Sequence, residues 1–108
     1  MQIDGLSVVV YRGDTLNLTF DFDSDVVFVT GSKVIITVKK HKGDTVALIE
    51  KQYDVNPGSK DLFVSFSKEE MVLDTGFYYY DLVVLYGQQR ETLGAGSIIV
   101  KGVVHNVQ

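Results

Sequence analysis

The stretch "LDTGFYYYDLVV", Leu73 to Val84, decides the fold. It sets Phe77 and three consecutive tyrosines, Tyr78, Tyr79 and Tyr80, in a run rich in strand-forming residues. Such a run is either an aromatic binding platform or the middle of a sheet. Successive side chains of a strand point to opposite faces. Tyr78, Tyr80, Leu82, Val84 and Tyr86 would then share one face, and Phe77, Tyr79, Asp81, Val83 and Leu85 the other. Both sets are largely apolar, whereas an antiparallel sheet with one wet face alternates apolar with polar. Leu6 to Val10, Ile35 beside Ile36, and Ile98 to Val100 are two-sided in the same way. Two readings of the second face stand. Loops or an extra strand cover it, or Phe77, Tyr79, Val83 and Leu85 form a protein–protein interface, because large apolar patches rarely persist on monomers.

The spacing of the run carries a further signal. Asp74, Gly76 and Tyr78 resemble the Asp-x-Gly/Ala-x-Tyr-x-Cys frame that leads into the F strand of immunoglobulin-like sandwiches, with Tyr80 at the cysteine position. The resemblance implies that Tyr78 is a tyrosine corner, with its ring in the core and its hydroxyl bonded to upstream backbone. Gly76 would admit a close approach, Asp74 would hold the turn, and Tyr80 would fill the space of a disulfide.

Working outward, the chain reads as strands. "LSVVVY" (Leu6 to Tyr11) stops at "RGD", and "TLNLTFDF" (Thr15 to Phe22) alternates cleanly, with Leu16, Leu18, Phe20 and Phe22 on one face. "VVFV" (Val26 to Val29), "KVIITVKK" (Lys33 to Lys40) and "TVALIEKQY" (Thr45 to Tyr53) follow, the last two joined by a turn at "HKGD". "NPGSKD" holds the only proline and marks a turn before the strand "LFVSFS". Ser67, three residues before Glu70, is a capping-box pattern and predicts one helical turn from Ser67 to Leu73. "FYYYDLVVLY", the turn "GQQR" and "ETLGAGSIIVKGVV" close the chain, with Gly94 and Gly96 marking a bulge or bend. The expectation is a single domain over residues 1–108, an all-β antiparallel immunoglobulin-like β-sandwich of seven to nine strands with one short helical turn.

Composition narrows the function classes. The chain has 108 residues, 45% of them hydrophobic and 22% charged, which is one globular domain. A net charge of −4 argues against nucleic-acid and anionic-membrane partners. No cysteine is present, so disulfides, thiolate nucleophiles and Cys-based metal sites are excluded. "MQIDGLSVVV" lacks the basic region of a signal peptide, and no apolar run nears the ~20 residues of a membrane span.

The remaining motifs are weak. Arg12-Gly13-Asp14 is the integrin-binding tripeptide on an expected turn, and "NLT" at Asn17 is a glycosylation sequon within a strand. Asp21, Asp23 and Asp25 would suit Ca²⁺ but lack the Gly and Glu of an EF-hand loop, so a solvated acidic loop is the plainer reading. His41 and His105 have no zinc-ligand spacing, and no hydrolase triad or phosphate loop is recognisable. "KKHK" (Lys39 to Lys42) reads as a strand end that blunts a sheet edge. No catalytic, metal or cofactor residues are expected, and the chain is read as a non-enzyme. The alternative function is a carbohydrate-binding or adhesion module with Tyr79, Phe77 or Tyr53 as a stacking platform.

Across nearly its whole length the chain resembles the N-terminal domain of phage baseplate upper proteins and related prophage tail proteins. The resembling features are the strand ending in "RGDT", "LNLTFDF", the pair "KVIITVKK" and "TVALIEKQY", and above all "LFVSFSKEEMVLDTGFYYYDLVVLYGQQRETLGAGSIIVKG". The resemblance implies a non-enzymatic virion component of the phage tail, made in the bacterial cytoplasm, that assembles with copies of itself or with other tail proteins. The sequence stops at Gln108, before the helical and receptor-binding regions that often follow in that family, which favours a structural or adaptor role.

Overall fold

The computed structural model describes residues 7–22 and 28–102. Seven strands lie within them: β1 (Ser7–Tyr11), β2 (Leu16–Asp21), β3 (Lys33–Lys39), β4 (Ile49–Asp54), β5 (Asp61–Phe66), β6 (Gly76–Tyr86) and β7 (Gln89–Lys101). They form a five-stranded sheet in the order β1-β7-β6-β3-β4 and a two-stranded sheet of β2 and β5. Period-two patterning places the core. Leu16, Leu18 and Phe20 of β2, and Leu62, Val64 and Phe66 of β5, are buried on one face, while Asn17, Thr19 and Phe63 lie on the other. In the larger sheet Val34, Ile36, Val38, Tyr78, Tyr80, Leu82, Val84, Ile98 and Val100 join the same core cluster. Burying these side chains is the main driving force for bringing the two sheets together. Phe20 of β2 and Tyr80 of β6 meet across the core with ring centroids 5.8 Å apart, tilted by 57°.

The sheet is not wholly antiparallel. β1 runs parallel to β7, in register from Ser7 opposite Ser97 to Tyr11 opposite Lys101. The reason is connectivity: β1 and β2 lie in different sheets, so the "RGD" turn carries the chain across the layers and forms no hairpin. The expected strand at Val26 to Val29 also differs. Val26 and Val27 lie outside the described residues, and Phe28 and Val29 are not in a strand. Phe28 is instead a buried plug, edge-on to Phe22 at 4.9 Å between ring centroids. Ser32 follows as a brace, its hydroxyl and its backbone N–H both donating to the Val29 carbonyl.

Thr45 to Leu48 belong to the loop between β3 and β4, because pairing begins only at Val38 opposite Ile49. Gly94 falls beside the expected bulge: Leu82 faces Gly94 and Val83 faces Thr92, which leaves Leu93 as the extra, fully buried residue.

The capping box forms. Ser67 N–H donates to Glu70 Oε1 at 2.9 Å, Glu70 N–H donates to Ser67 Oγ at 3.1 Å, and Met71 N–H closes one turn on the Ser67 carbonyl at 3.1 Å. It remains a hydrogen-bonded turn and goes no further, since the chain extends again to reach β6. Lys51 fastens this turn to both sheets. Its Nζ lies 2.8 Å from Glu70 Oε1, donates to the Ser65 carbonyl of β5 at 2.8 Å, and sits 5.3 Å from the Phe66 ring centroid. A lysine from the inner face of β4 thus supplies a donor to a free carbonyl at the edge of β5.

The Lys51 hydrogen bond holds the Glu70 carboxyl below its ordinary value of 4.5, against a partial opposing push from burial, with the Ser67 backbone N–H adding to the lowering. Since the folded value lies below the unfolded one, the contribution is present above the unfolded value and drains away as pH falls through the folded value. Glu70→Gln keeps the cap geometry and removes the charge. It is expected to lower stability at neutral pH by about 1 kcal/mol or less, as for a partly exposed ion pair. The difference in urea midpoint between variant and wild type should vanish in acid, once Glu70 itself is protonated.

Candidate functional site: the two faces of β6

β6 is the central strand of the five-stranded sheet and separates two environments. On the inner face Tyr78 is buried, and its hydroxyl donates to the Asp74 backbone carbonyl at 2.6 Å. The partner is the carbonyl, so Asp74 serves through its position in the turn. Burial and then the Asp74 carboxylate push the Tyr78 phenol above its ordinary value, and Arg12 pulls it the other way. Gly76 has φ +141°, and a Cβ there would lie 2.8 Å from Lys40 Nζ. That ammonium rests 4.3 Å from the Tyr78 ring centroid. Glycine at this position therefore leaves room for Lys40 to cap the ring. Tyr80 completes the inner face against Phe20.

The "KKHK" run does not blunt an edge. β3 lies between β6 and β4, an interior position, and the lysines that follow it fold back over β6. Lys40 covers Tyr78, and Lys42 Nζ lies 5.1 Å from the Tyr79 ring centroid. His41 makes only a local turn, its N–H donating to Asp44 Oδ2 at 3.0 Å.

The outer face carries an apolar row. Val9 of β1, Ile99 of β7 and Phe77 of β6 are directly opposite one another across three strands. Val9 is 54% exposed and Phe77 59% exposed, with Tyr11 at 46% further along β1. Tyr79 and Leu85 are half-buried on the same face. Val83 is different. It shares the face by register but is only 4% exposed, at the bulge, flanked by Ile35 of β3 and Thr92 of β7. It presents no surface, so the expected set of Phe77, Tyr79, Val83 and Leu85 loses that member and gains Val9, Tyr11 and Ile99. Sequence reading missed these three because their place beside Phe77 depends on the parallel β1–β7 pair. The apolar runs Leu6 to Val10 and Ile98 to Val100 carry the signal for Val9 and Ile99, and Tyr11 directly follows the first of them.

Tyr53 does not join any outer platform. It lies opposite Val34 and packs on the core from the inner face of β4. Between β3, β6 and β7 the outer face dips into a shallow concavity of about 250 Å³ beside Tyr79 and Asp81.

The other sequence candidates serve the fold. In the "RGD" turn Arg12 Nε donates to the Leu73 carbonyl at 3.1 Å, and Gly13 N–H donates to the Met71 carbonyl at 3.0 Å. That tripeptide is tied to the segment entering β6. The sequon residue Asn17 accepts from the Ser65 hydroxyl at 2.7 Å, across β2 and β5. Asp21 is opposite Asp61 at the end of the small sheet, while Asp23, Asp25 and His105 lie outside the described residues. No group of three or more His, Asp or Glu among the described residues is placed to hold a metal ion.

No protein-family model matches the chain. No curated protein shows significant similarity to it.

Tyr78→Phe should keep the ring and lose the bond to the Asp74 carbonyl. The expected cost is about 1–3 kcal/mol, because the carbonyl is left without its partner. Tyr80→Ala should cost about 3–5 kcal/mol through the cavity it leaves against Phe20. Both are read as shifts in chemical-denaturation midpoint.

Proposed function

We propose that this chain is a non-enzymatic structural protein of a phage or prophage tail or baseplate, an immunoglobulin-like module that works by protein–protein assembly within the virion. The immunoglobulin-like reading is supported by strand order. β7-β6-β3-β4 corresponds to G-F-C-C′, and β2 with β5 to B and E of the facing sheet. The Tyr78 hydroxyl bond at the start of β6 has the form of a tyrosine corner, and the Phe20–Tyr80 contact joins the strands that a disulfide joins in antibody domains. The phage assignment rests on the sequence resemblance alone.

The observation that carries the assembly reading is the row Val9, Ile99 and Phe77 on the outer face, with Tyr11 beside it. Apolar residues aligned over three strands, with Val9 and Phe77 open to water and Ile99 half-buried between them, support an interaction surface. The partners proposed are copies of this chain and other tail proteins.

Two measurements test the reading. Phe77→Ser should leave the circular dichroism spectrum and unfolding midpoint nearly unchanged, as an exposed position predicts. In light scattering the wild type should be an oligomer and the variant a monomer. A wild-type monomer at every concentration would remove self-assembly. Mass spectrometry of gradient-purified particles, from a phage or induced prophage carrying the gene, should detect the protein. Expression in the lysate with absence from the particles would remove the virion role.

A further inference from the structure

The concavity on the outer face is separate from the apolar row and has a different chemistry. It arises from side-chain size in register. Asp81 of β6 faces Thr37 of β3 on one side and Ala95 of β7 on the other. Ala95, with Gly96 beside it, puts almost no side chain into the sheet surface, so a hollow of about 250 Å³ opens there. Lys39, opposite Tyr79 across the β3–β6 pair, and Lys42, from the following loop, stand along one end. Lys42 is held over the Tyr79 ring, its Nζ 5.1 Å from the centroid.

Lys33 and Lys51 form ion pairs. By contrast, no ion pair or side-chain hydrogen bond engages Lys39, Lys42, Thr37 or Asp81 among the described residues. Lys39, Lys42, Asp81 and Thr37 thus line one concavity with the hydrogen-bonding capacity of their side chains unspent among the described residues. The lysines suit an anion, and the cation–π contact steers one of them. Asp81 is an acceptor for hydroxyl hydrogens, and Thr37 both donates and accepts. The volume lies below the ~300–1,000 Å³ typical of sites for drug-sized ligands, so the occupant is about one ring.

We infer that this hollow is a binding subsite for a hydroxylated anion of one sugar ring, an acidic sugar unit bearing a carboxylate or a phosphate. The anionic group lies between Lys39 and Lys42, and the ring hydroxyls face Asp81 and Thr37. This inference stands on the concavity alone and does not depend on the assembly reading.

The test is an amide-NMR titration of the full chain with D-glucuronate and with glucose 6-phosphate, using glucose and acetate as references. Shift changes should centre on residues 79–81 and 95–97, and the stronger of the two acidic sugars distinguishes carboxylate from phosphate. Each reference should bind at least about tenfold more weakly, the scale of one charge-assisted contact. Lys42→Met in the exposed loop and Asp81→Asn should each weaken the acidic sugar by about tenfold while the fold persists. Glucose binding as tightly as the acidic sugars would overturn the anion requirement. Acetate binding as tightly would overturn the hydroxyl requirement. Absence of shifts at these residues, or unchanged affinity in both variants, would overturn the site. Loss of binding by Lys42→Met with Phe77→Ser still binding would show that the subsite acts apart from the apolar row.

Discussion

The alternation of side chains along β6 is the constraint on which the rest of the structure depends. A slip of one residue would exchange its two faces, putting Phe77 and Asp81 into the core and Tyr78 and Tyr80 into water. The bond from the Tyr78 hydroxyl to the Asp74 carbonyl opposes that slip at the strand's first turn. The segment before it is held as well: Arg12 and Gly13 reach its carbonyls from the "RGD" turn, and Lys51 holds Glu70 in the preceding capped turn. Contacts from β1's turn, β4 and the β5–β6 connection thus converge on one entry point. With β6 set, β3 and β7 pair on either side, and Tyr80 meets Phe20 to join the layers.

The lysines after β3 show how one strand serves both fold and surface. Lys40 covers the ring of an inner-face tyrosine at its end, where glycine at position 76 leaves it room. Lys42 lies over an outer-face ring and borders the hollow by Asp81. Adjacent tyrosines are therefore capped by cations for different ends. One contact supports the corner, and the other orients a charge at a surface concavity. The apolar row of Val9, Ile99 and Phe77 lies further along the same face, nearer the start of β6.

Much of the fold was legible because it rests on local pattern. Leu16, Leu18 and Phe20 alternate with polar residues, and β2 follows them. Ser67 and Glu70 have capping-box spacing and form those hydrogen bonds. The illegible parts depend on contacts distant in sequence. Nothing in "LSVVVY" states that it runs parallel to a strand some ninety residues later, as Ser7 opposite Ser97 does. That pairing supplies the neighbours of Phe77, so the surface was only half visible. Val83 was misplaced for a related reason, since register gives its face but not its exposure beside a bulge. Phe28 falls in an apolar run, and such a run does not by itself distinguish a strand from a buried plug.

Residues 77–80 form two faces of one strand, with the packed core on the side of Tyr78 and Tyr80 and the water-facing side at Phe77 and Tyr79. Solvent paramagnetic relaxation of their aromatic ring protons, measured on monomeric protein, reads out this division. An alternation is expected: strong relaxation at Phe77, weak at Tyr78, intermediate at Tyr79 and weak at Tyr80. Uniform relaxation across the four rings, or strong relaxation at Tyr78 and Tyr80, would contradict it.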